Sequence, residues 1–262
     1  MGVQRELSLS SAQKLFENFT INSLETTKDG VMDTTYLSDL YVFKYYEREI
    51  EIKIQEDALR LLTFRKNKLP TPELLGSSQG WYLYSRLKGS LAQSRRLYHI
   101  QALARFIATM HSLSKTLPSS SPFLANYPLP ELLKKLKKNH YFYYKKFSDL
   151  KTFHMKEDGF IHGDIFKDNT LFEGEHVRVF DFIDGGRGSF VFDLAVTLVS
   201  FNPHKRESYT NIFLNTYNQR APQKIELKEL QKHITLAAKL YALLRIYKYK
   251  NTKKAQELAN LW

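Results

Sequence analysis

Residues 160–172 of this chain read FIHGDIFKDNTLF, and residues 179–186 read VFDFIDGG. Apolar, strand-forming residues flank both polar clusters, and a turn at 173–175 joins the two flanking strands. We therefore expect a strand pair that holds Asn169 and Asp181 close together in space. Asp164 lies on the loop just before the first strand, so the two segments place three polar side chains around one hairpin.

These three side chains are of the types that phosphoryl transfer uses. That reaction needs metal ligands and a group that orients the attacking hydroxyl. Mg²⁺ prefers oxygen ligands, commonly one or two carboxylates with phosphate oxygens and water. Asp181 and the side-chain oxygen of Asn169 are therefore candidate Mg²⁺ ligands, and Asp164 is the candidate to accept the hydroxyl proton or to aim the hydroxyl. A plain turn is the alternative, because turns favour Asp and Asn.

The order His-Gly-Asp, four residues, Asn, and then a strand-borne Asp-Phe resembles the catalytic loop and metal-binding segment of the aminoglycoside phosphotransferase and choline kinase superfamily. Protein kinases share a more distant pattern with His-Arg-Asp and Asp-Phe-Gly, but Gly163 replaces their Arg and no Ala-Pro-Glu follows Asp181. The resemblance implies a two-lobed, protein-kinase-like α+β fold with a small β-rich lobe and a larger helical lobe. It also implies an ATP- and Mg²⁺-dependent transfer of phosphate to a hydroxyl of a small molecule.

Within this superfamily the chain is most similar to the bacterial homoserine kinases of the same fold, which carry a comparable Asp-Leu-Phe-x-Asp-Asn run. The departures are a shorter chain and the triplet Ile-Asp-Gly that follows Asp181-Phe182. Homoserine is therefore the favoured acceptor, and choline or ethanolamine, a sugar and an aminoglycoside stay open. The basic segment 205–254 disfavours a polycationic acceptor, because long-range repulsion slows its approach.

The resemblance also implies nucleotide-binding residues in the first part of the chain. Lys44, at the end of Val-Phe-Lys, corresponds to the lysine that holds the α- and β-phosphates. Its acidic partner is expected on the helix predicted for 49–67, with Glu56 preferred and Glu49 and Asp57 as alternatives. The remaining assignments are the phosphate loop around Gly30 and the segment that meets adenine, represented by Ser85 and Leu87.

One further carboxylate belongs to the resemblance. Asp193, in Phe-Asp-Leu-Ala, matches the Asp-Leu-Ala element of the superfamily. We expect this carboxylate to cap the helix that follows and to brace the catalytic loop.

Periodicity divides the chain at a hinge near 88–90. Alternating strand-like residues at 34–46 predict a hairpin, and 81–85 predict another strand. Helical spacing of apolar residues predicts helices at 98–113 and 132–150, and over much of 225–262. We therefore expect a nucleotide-binding lobe at 1–87 and a catalytic and substrate-binding lobe at 88–262.

Composition narrows the class of protein. The chain has 262 residues and no cysteine, which excludes disulfides, thiolate metal sites and a cysteine nucleophile. Its N-terminus lacks the apolar core of a signal peptide, and its most apolar stretch, 190–201, is too short to span a bilayer. We expect a cytoplasmic protein, and the oligomeric state stays open.

The basic, aromatic segment 132–150 allows two other functions. The whole chain has a formal net charge of +12, and the lysines and aromatic rings of this segment could bind nucleic acid. The favoured interpretation is a helix with its aromatic residues packed inward and its lysines solvated. Another interpretation is that the aromatic residues line the acceptor pocket. A catalytically silent, kinase-like binding protein is the remaining alternative to an enzyme.

Overall fold

A computed structural model describes residues 5–27, 33–48, 50–91, 96–118, 120–201, 207–247, 255 and 257–258. The chain divides into two compact units. The first unit comprises residues 1–90 together with 178–183, and the second comprises 91–177 and 184–262. Residues 178–183, which include Asp181, therefore group with the first unit although they follow most of the second in sequence.

The first unit is built on one antiparallel sheet. Its strands, in the spatial order β1-β2-β3-β5-β4, are β1 (Glu25–Thr26), β2 (Thr34–Leu37), β3 (Tyr41–Tyr45), β5 (Trp81–Ser85) and β4 (Leu74–Ser78). Two helices accompany the sheet, α1 (Leu9–Leu15) and α2 (Glu51–Lys66). The Ser8 hydroxyl caps α1 by accepting a hydrogen bond from the Ser11 N–H.

Strand alternation decides which side chains of β3 are buried. Phe43 is fully buried and packs edge-on against Phe16, which follows α1, in a cluster that also contains Trp81. Because successive side chains of a strand point to opposite faces, Lys44 projects from the other face of the sheet. The sheet therefore has one face filled by the apolar cluster and a second face that carries Lys44.

The second unit is mainly helical. Its helices are α3 (Leu97–Ser112), α4 (Leu129–Asn139), α5 (Tyr141–Phe147), α6 (Phe190–Phe201), α7 (Glu207–Asn218) and α8 (Leu227–Tyr247). Helix α6 is buried along nearly its whole length and packs mainly against α8, while α3 packs mainly against α7. An all-round apolar helix of this kind forms the centre of a core rather than its surface.

Short strands position the loops of the second unit. Strand β6 (Gly159–Ile161) pairs antiparallel with β9 (Gly186–Gly188), and β7 (Thr170–Glu173) pairs with β8 (His176–Val179). The loop between β6 and β7 contains Asp164. Strands β7 and β8 are the pair predicted around the turn at 173–175.

Three local features compare directly with the sequence predictions. The hairpin at 34–46 and the strand at 81–85 are present. The single helix predicted for 132–150 is wrong, because the backbone of His140 (φ −147°, ψ 64°) is not helical and separates α4 from α5.

In the described ranges no helix is long and apolar enough to cross a membrane.

Candidate active site

Lys44 and Asp181 form an ion pair in the first unit. Lys44 Nζ lies 2.6 Å from Asp181 Oδ1, and the lysine side chain is the more buried of the two. Burial by itself would lower the pKa of the Lys44 ammonium, but the charge of Asp181 and its hydrogen bond outweigh burial, so that the pKa lies above its usual value. The ammonium therefore stays charged and is held at a carboxylate.

The backbone at Asp181 is in the left-handed region, with φ of 67°. Lys68 and Gln79 are the other non-glycine residues with positive φ in the described ranges, and both lie in turns next to secondary structure. Asp tolerates this region better than most residues, and a residue held there by its surroundings is often functional. The next residue, Phe182, is buried and packs against Phe64 of α2 with ring centroids 5.3 Å apart, which anchors the turn.

Asp57, rather than the predicted Glu56, is the buried carboxylate of α2 whose charge acts on Lys44. Asp57 is buried and contributes to the electrostatic environment of the lysine, whereas Glu56 is partly exposed and lies 3.9 Å from Arg60. Adjacent residues of a helix point about 100° apart, so only one of the two can face the sheet. We therefore transfer the assignment to Asp57, one of the two alternatives considered above.

A buried arginine neutralises Asp57. Arg60 Nη1 donates a hydrogen bond of 2.9 Å to Asp57 Oδ1, and both side chains are almost completely buried. Burial raises the pKa of Asp57 to about 6, and the charge of Arg60 opposes that rise. The pair thus holds the carboxylate on the inner face of α2.

The proposed adenine-contacting segment lies at the end of β5. The Ser85 N–H donates to the Glu73 carbonyl at 2.9 Å, and the Ser85 hydroxyl accepts from the Glu73 N–H at 2.9 Å. Glu73 thus engages the Ser85 N–H and hydroxyl, and the adenine contacts of Ser85 and Leu87 stay predictions. The expected phosphate loop around Gly30 lies outside the described residues.

Asp164 and Asn169 are joined in the loop of the second unit. Asn169 Nδ2 donates to both the backbone carbonyl and the Oδ2 of Asp164, at 2.8 and 2.9 Å. The Asp164 N–H donates to His162 Nδ1 at 3.1 Å. Both of these hydrogen bonds use the nitrogen of the Asn169 side chain, so its oxygen is the atom available to face a cation.

Asp193 braces this loop from helix α6. Its carboxylate accepts hydrogen bonds from the N–H groups of Gly163 at 2.7 Å and His162 at 3.2 Å. The expectation that Asp193 also caps its helix is wrong, because it lies inside α6 and its side chain is turned toward the loop. Two charge-assisted bonds to backbone N–H groups are among the stronger hydrogen bonds in proteins.

Sequence reasoning missed four contacts around this loop, three of His111 and one of Tyr241. His111 of α3 lies with Nε2 3.1 Å from Asp193 Oδ2 and Nδ1 2.9 Å from the Tyr217 hydroxyl. Its ring stacks on Phe190 at 4.0 Å, and the Tyr241 hydroxyl donates to the Gly163 carbonyl. A histidine on the apolar face of α3 was the only signal in the sequence, because its partners come from distant helices.

Comparison with known proteins identifies the family. The family model described as "Phosphotransferase enzyme family" matches residues 28–227. The chain belongs to this family. Membership agrees with the Asp164–Asn169 loop and with Asp181, and it confirms the superfamily inferred from the sequence.

A homoserine kinase is similar to part of this chain. A homoserine kinase from Janthinobacterium sp. (strain Marseille) is 30% identical over 129 residues, which are 44% of this chain and 40% of that enzyme. The match therefore spans less than half the length of this curated relative.

Solved structures confirm the protein-kinase-like fold. The GDP complex of aminoglycoside 2'-phosphotransferase-IIIa has a TM-score of 0.65 and 14% identity, covering 96% of this chain and 95% of that one. An amicoumacin kinase determined in complex with AMP-PNP, Ca²⁺ and Ami has a TM-score of 0.68 and 14% identity, covering 97% of this chain and 90% of that one. These nucleotide and metal complexes agree with the cofactors predicted from the sequence.

The residues present fit a divalent cation of the kind that phosphotransferases use. Asp181 in the first unit offers a carboxylate and Asn169 in the second offers an amide oxygen, and each is of the hard oxygen type that Mg²⁺ prefers. In the described part of the chain no group of three or more His, Asp or Glu side chains could hold a metal ion by itself. A cation bound by two such side chains would need further oxygens, which nucleotide phosphates and water supply.

Proposed function

We propose that this chain transfers the γ-phosphate of ATP, bound with Mg²⁺, to a hydroxyl group of a small molecule. The observation that carries the proposal is the Asp164–Asn169 pair on a loop whose backbone is fixed by the buried carboxylate of Asp193. A carboxylate held in this way can meet an incoming hydroxyl without reorganising. Two sequence predictions are part of this proposal. The reaction takes place in the cytoplasm, and the boundary between the two lobes lies at 87/88.

Lys44 is assigned to the α- and β-phosphates. Its ammonium is charged, is largely buried and lies beside Asp181. The same ammonium can therefore bind the anionic phosphates of the nucleotide. Asp57 would keep the lysine oriented when Asp181 is engaged elsewhere. Ser85 and Leu87 would meet adenine. Asp181 and Asn169 are the proposed ligands of Mg²⁺, which when bound neutralises phosphate charge.

Asp164 is the catalytic carboxylate in this proposal. The hydroxyl oxygen of the acceptor attacks the γ-phosphorus, the bond from that phosphorus to the β,γ-bridging oxygen breaks, and ADP leaves. The hydroxyl proton passes to a carboxylate oxygen of Asp164. Asn169 donates to Oδ2 of Asp164 and so fixes the direction of the carboxylate.

Homoserine is the proposed acceptor. The similarity to a homoserine kinase supports it, and the net charge of +12 favours a zwitterion over a polycation at long range. Choline or ethanolamine, a sugar and an aminoglycoside are the competing acceptors of the same chemistry.

The test is ADP release with Mg·ATP and a panel of L-homoserine, choline, ethanolamine, simple sugars and kanamycin. We expect one acceptor to stimulate release, and Asp164→Asn to abolish that stimulation while nucleotide still raises the melting temperature. Stimulation by another acceptor would replace homoserine and keep the reaction. Absence of both turnover and nucleotide binding in the folded protein would overturn the proposal.

A further inference from the structure

The surface of α4 and α5 carries a dense group of lysines. Between residues 129 and 152 the chain has seven lysines, two carboxylates and no arginine. The buried side of α4 is formed by leucines, so its lysines point away from the core of the second unit. Six exposed lysines belong to these two helices: Lys134, Lys135, Lys137, Lys138, Lys145 and Lys146.

Two aromatic rings are exposed beside these lysines. Tyr141 is 55% exposed and Phe142 is 66% exposed, and no other aromatic residue within the described ranges is as open to solvent. Lys145 Nζ lies 5.2 Å from the centroid of the Tyr141 ring, and Lys146 Nζ lies 4.8 Å from that of Phe142. We call the six lysines together with Tyr141 and Phe142 the basic–aromatic patch.

Lysines on this surface also affect a neighbouring phenol. The pKa of the exposed Tyr144 hydroxyl lies below its usual value, chiefly because of a hydrogen bond with Lys151 and then because of the charges of Lys151 and Lys137. Asp149, one of the two carboxylates in the segment, is already paired with Lys239 at 2.6 Å. Little negative charge is therefore available to offset the lysines.

The residue types of the patch distinguish between two anionic partners. Nucleic-acid sites favour arginine, whose planar group binds phosphate through two hydrogen bonds and stacks on bases, and the segment has none. Lysine ammonium groups also lie over the two rings on which bases would have to stack. A membrane interface suits both components, since rings enter the interfacial layer while lysine heads stay among anionic headgroups.

We propose that the basic–aromatic patch docks this protein on a membrane surface rich in anionic phospholipid. Tyr141 and Phe142 enter the interfacial layer, and the six lysines contact the headgroups. Each lysine near such a surface contributes about a fivefold gain in binding, so the patch is sufficient for reversible association without any membrane-spanning helix. The proposal is independent of the phosphotransferase reaction, because none of these residues is assigned a role in it above.

The test is co-sedimentation of the full chain with vesicles of phosphatidylglycerol and phosphatidylcholine, compared with phosphatidylcholine alone. We expect binding only to the anionic vesicles, and a steep loss of binding at high salt because exposed charges are screened. Lys134→Glu/Lys138→Glu should weaken binding by more than about 25-fold. Phe142→Ser should weaken binding less and leave its salt dependence unchanged.

The matched control is Lys228→Glu/Lys232→Glu on α8, which changes the net charge equally at two exposed lysines of the same spacing. It should weaken vesicle binding by less than about threefold, because these lysines lie outside the patch. Equal losses in the two double variants would show that overall charge alone binds the vesicles, and would overturn the proposal. Circular dichroism and turnover confirm that each variant is folded.

Two further outcomes would also overturn the proposal. One is patch-dependent binding of a single-stranded RNA oligonucleotide by a chain that ignores anionic vesicles. The other is a rise in the KM of the acceptor for Tyr141→Ala or Phe142→Ser with unchanged vesicle binding, which would place the rings at the acceptor pocket. Asp164→Asn should bind vesicles as the wild type does, so that failure of the proposed reaction and failure of docking are distinguished.

Discussion

Lys44 Nζ and Asp181 Oδ1 lie 2.6 Å apart although 137 positions separate the two residues in the chain. The contact joins the ammonium assigned to the phosphates with a carboxylate assigned to the metal. It holds both charges within the first unit, on the sheet face opposite the apolar cluster. Lys44 and Asp181 therefore pair with each other in the absence of ligands, and nucleotide and Mg²⁺ would engage these two groups when they bind.

Replacing Lys44 tests this relationship. Lys44→Met should lower kcat/KM for ATP by about 100-fold or more, because an electrostatic contact to phosphate is lost. It should change the free energy of unfolding by less than about 1 kcal/mol, since Asp181 is partly exposed and can be solvated. Steady-state kinetics and urea denaturation measure the two effects, with Lys53→Met on the same lobe as the control. A loss of stability with unchanged kinetics would make the pair purely structural.

The buried Asp57 predicts a pH dependence of stability. Its pKa is raised from 3.8 in the unfolded chain to about 6 in the folded protein, so the folded protein binds its proton more tightly. Its contribution to stability is therefore complete below about pH 4 and is lost as the pH rises through 6. The loss is on the order of 1 to 3 kcal/mol.

The measurement is the free energy of unfolding of the wild type relative to Asp57→Asn between pH 4 and 7. This difference should fall as the pH rises, because asparagine does not titrate. Other carboxylates contribute equally to both proteins and cancel. A difference that stays flat or increases over this range would show that Asp57 is not a buried carboxylate with a raised pKa.

The bracing of the catalytic loop by Asp193 predicts a combined loss of stability and rate. Asp193→Asn keeps one acceptor oxygen but turns an amide donor toward loop N–H groups, which should cost about 2 to 3 kcal/mol. It should also lower kcat by more than about tenfold, because the loop that carries Asp164 loses its fixed position. Chemical denaturation and turnover at saturating ATP measure these effects.

Thr197→Val provides the control for Asp193. Thr197 lies on the same helix, and its hydroxyl donates only to the Asp193 backbone carbonyl, at 3.1 Å. Its replacement should cost less than about 1.5 kcal/mol and leave kcat within about twofold. Equal effects of the two substitutions on kcat would argue against a special role for the Asp193 carboxylate.

Two glycines give a paired test of the loop geometry. Gly163 (φ 71°) and Gly174 (φ 57°) share the left-handed backbone region, but a Cβ at Gly163 would clash with Phe123 Cε2, while one at Gly174 would meet nothing within 4 Å. Gly174→Ala should therefore cost only about 1 to 2 kcal/mol, from the backbone alone. Gly163→Ala should cost clearly more and lower kcat, as thermal unfolding and turnover would show. Equal costs would mean that Phe123 moves aside freely.

The local spacing of residues made the centre of the candidate site predictable. Asp164 and Asn169 are five positions apart in one loop, and that loop brings their side chains into hydrogen-bonding contact. The strand at 81–85 was likewise predictable, because its alternation and its bounding residues are local. The proximity of Asn169 to Asp181 stays a prediction, and so do the roles assigned to them.

Helical spacing favours Asp57 over Glu56, because Asp57 lies three residues after the buried Ile54 and four before the buried Leu61. The preference for Glu56 did not use this spacing, and the burial of Asp57 with Arg60 became visible only in the structure. The break at His140 was not visible in the sequence, since its neighbours on both sides have good helical patterns and only the backbone geometry of one residue separates α4 from α5.

The sequence by itself determined the superfamily, the kinase-like fold and the residue types of the catalytic loop. These can be inferred from short motifs and from the local spacing of residues along the chain. Only the tertiary structure decided that Asp57 is buried with Arg60, and that His111 reaches Asp193 and Tyr217. His111 and Tyr217 are 106 positions apart. Contacts of this kind arise when helices pack, and packing depends on the shape of the whole core rather than on any local pattern.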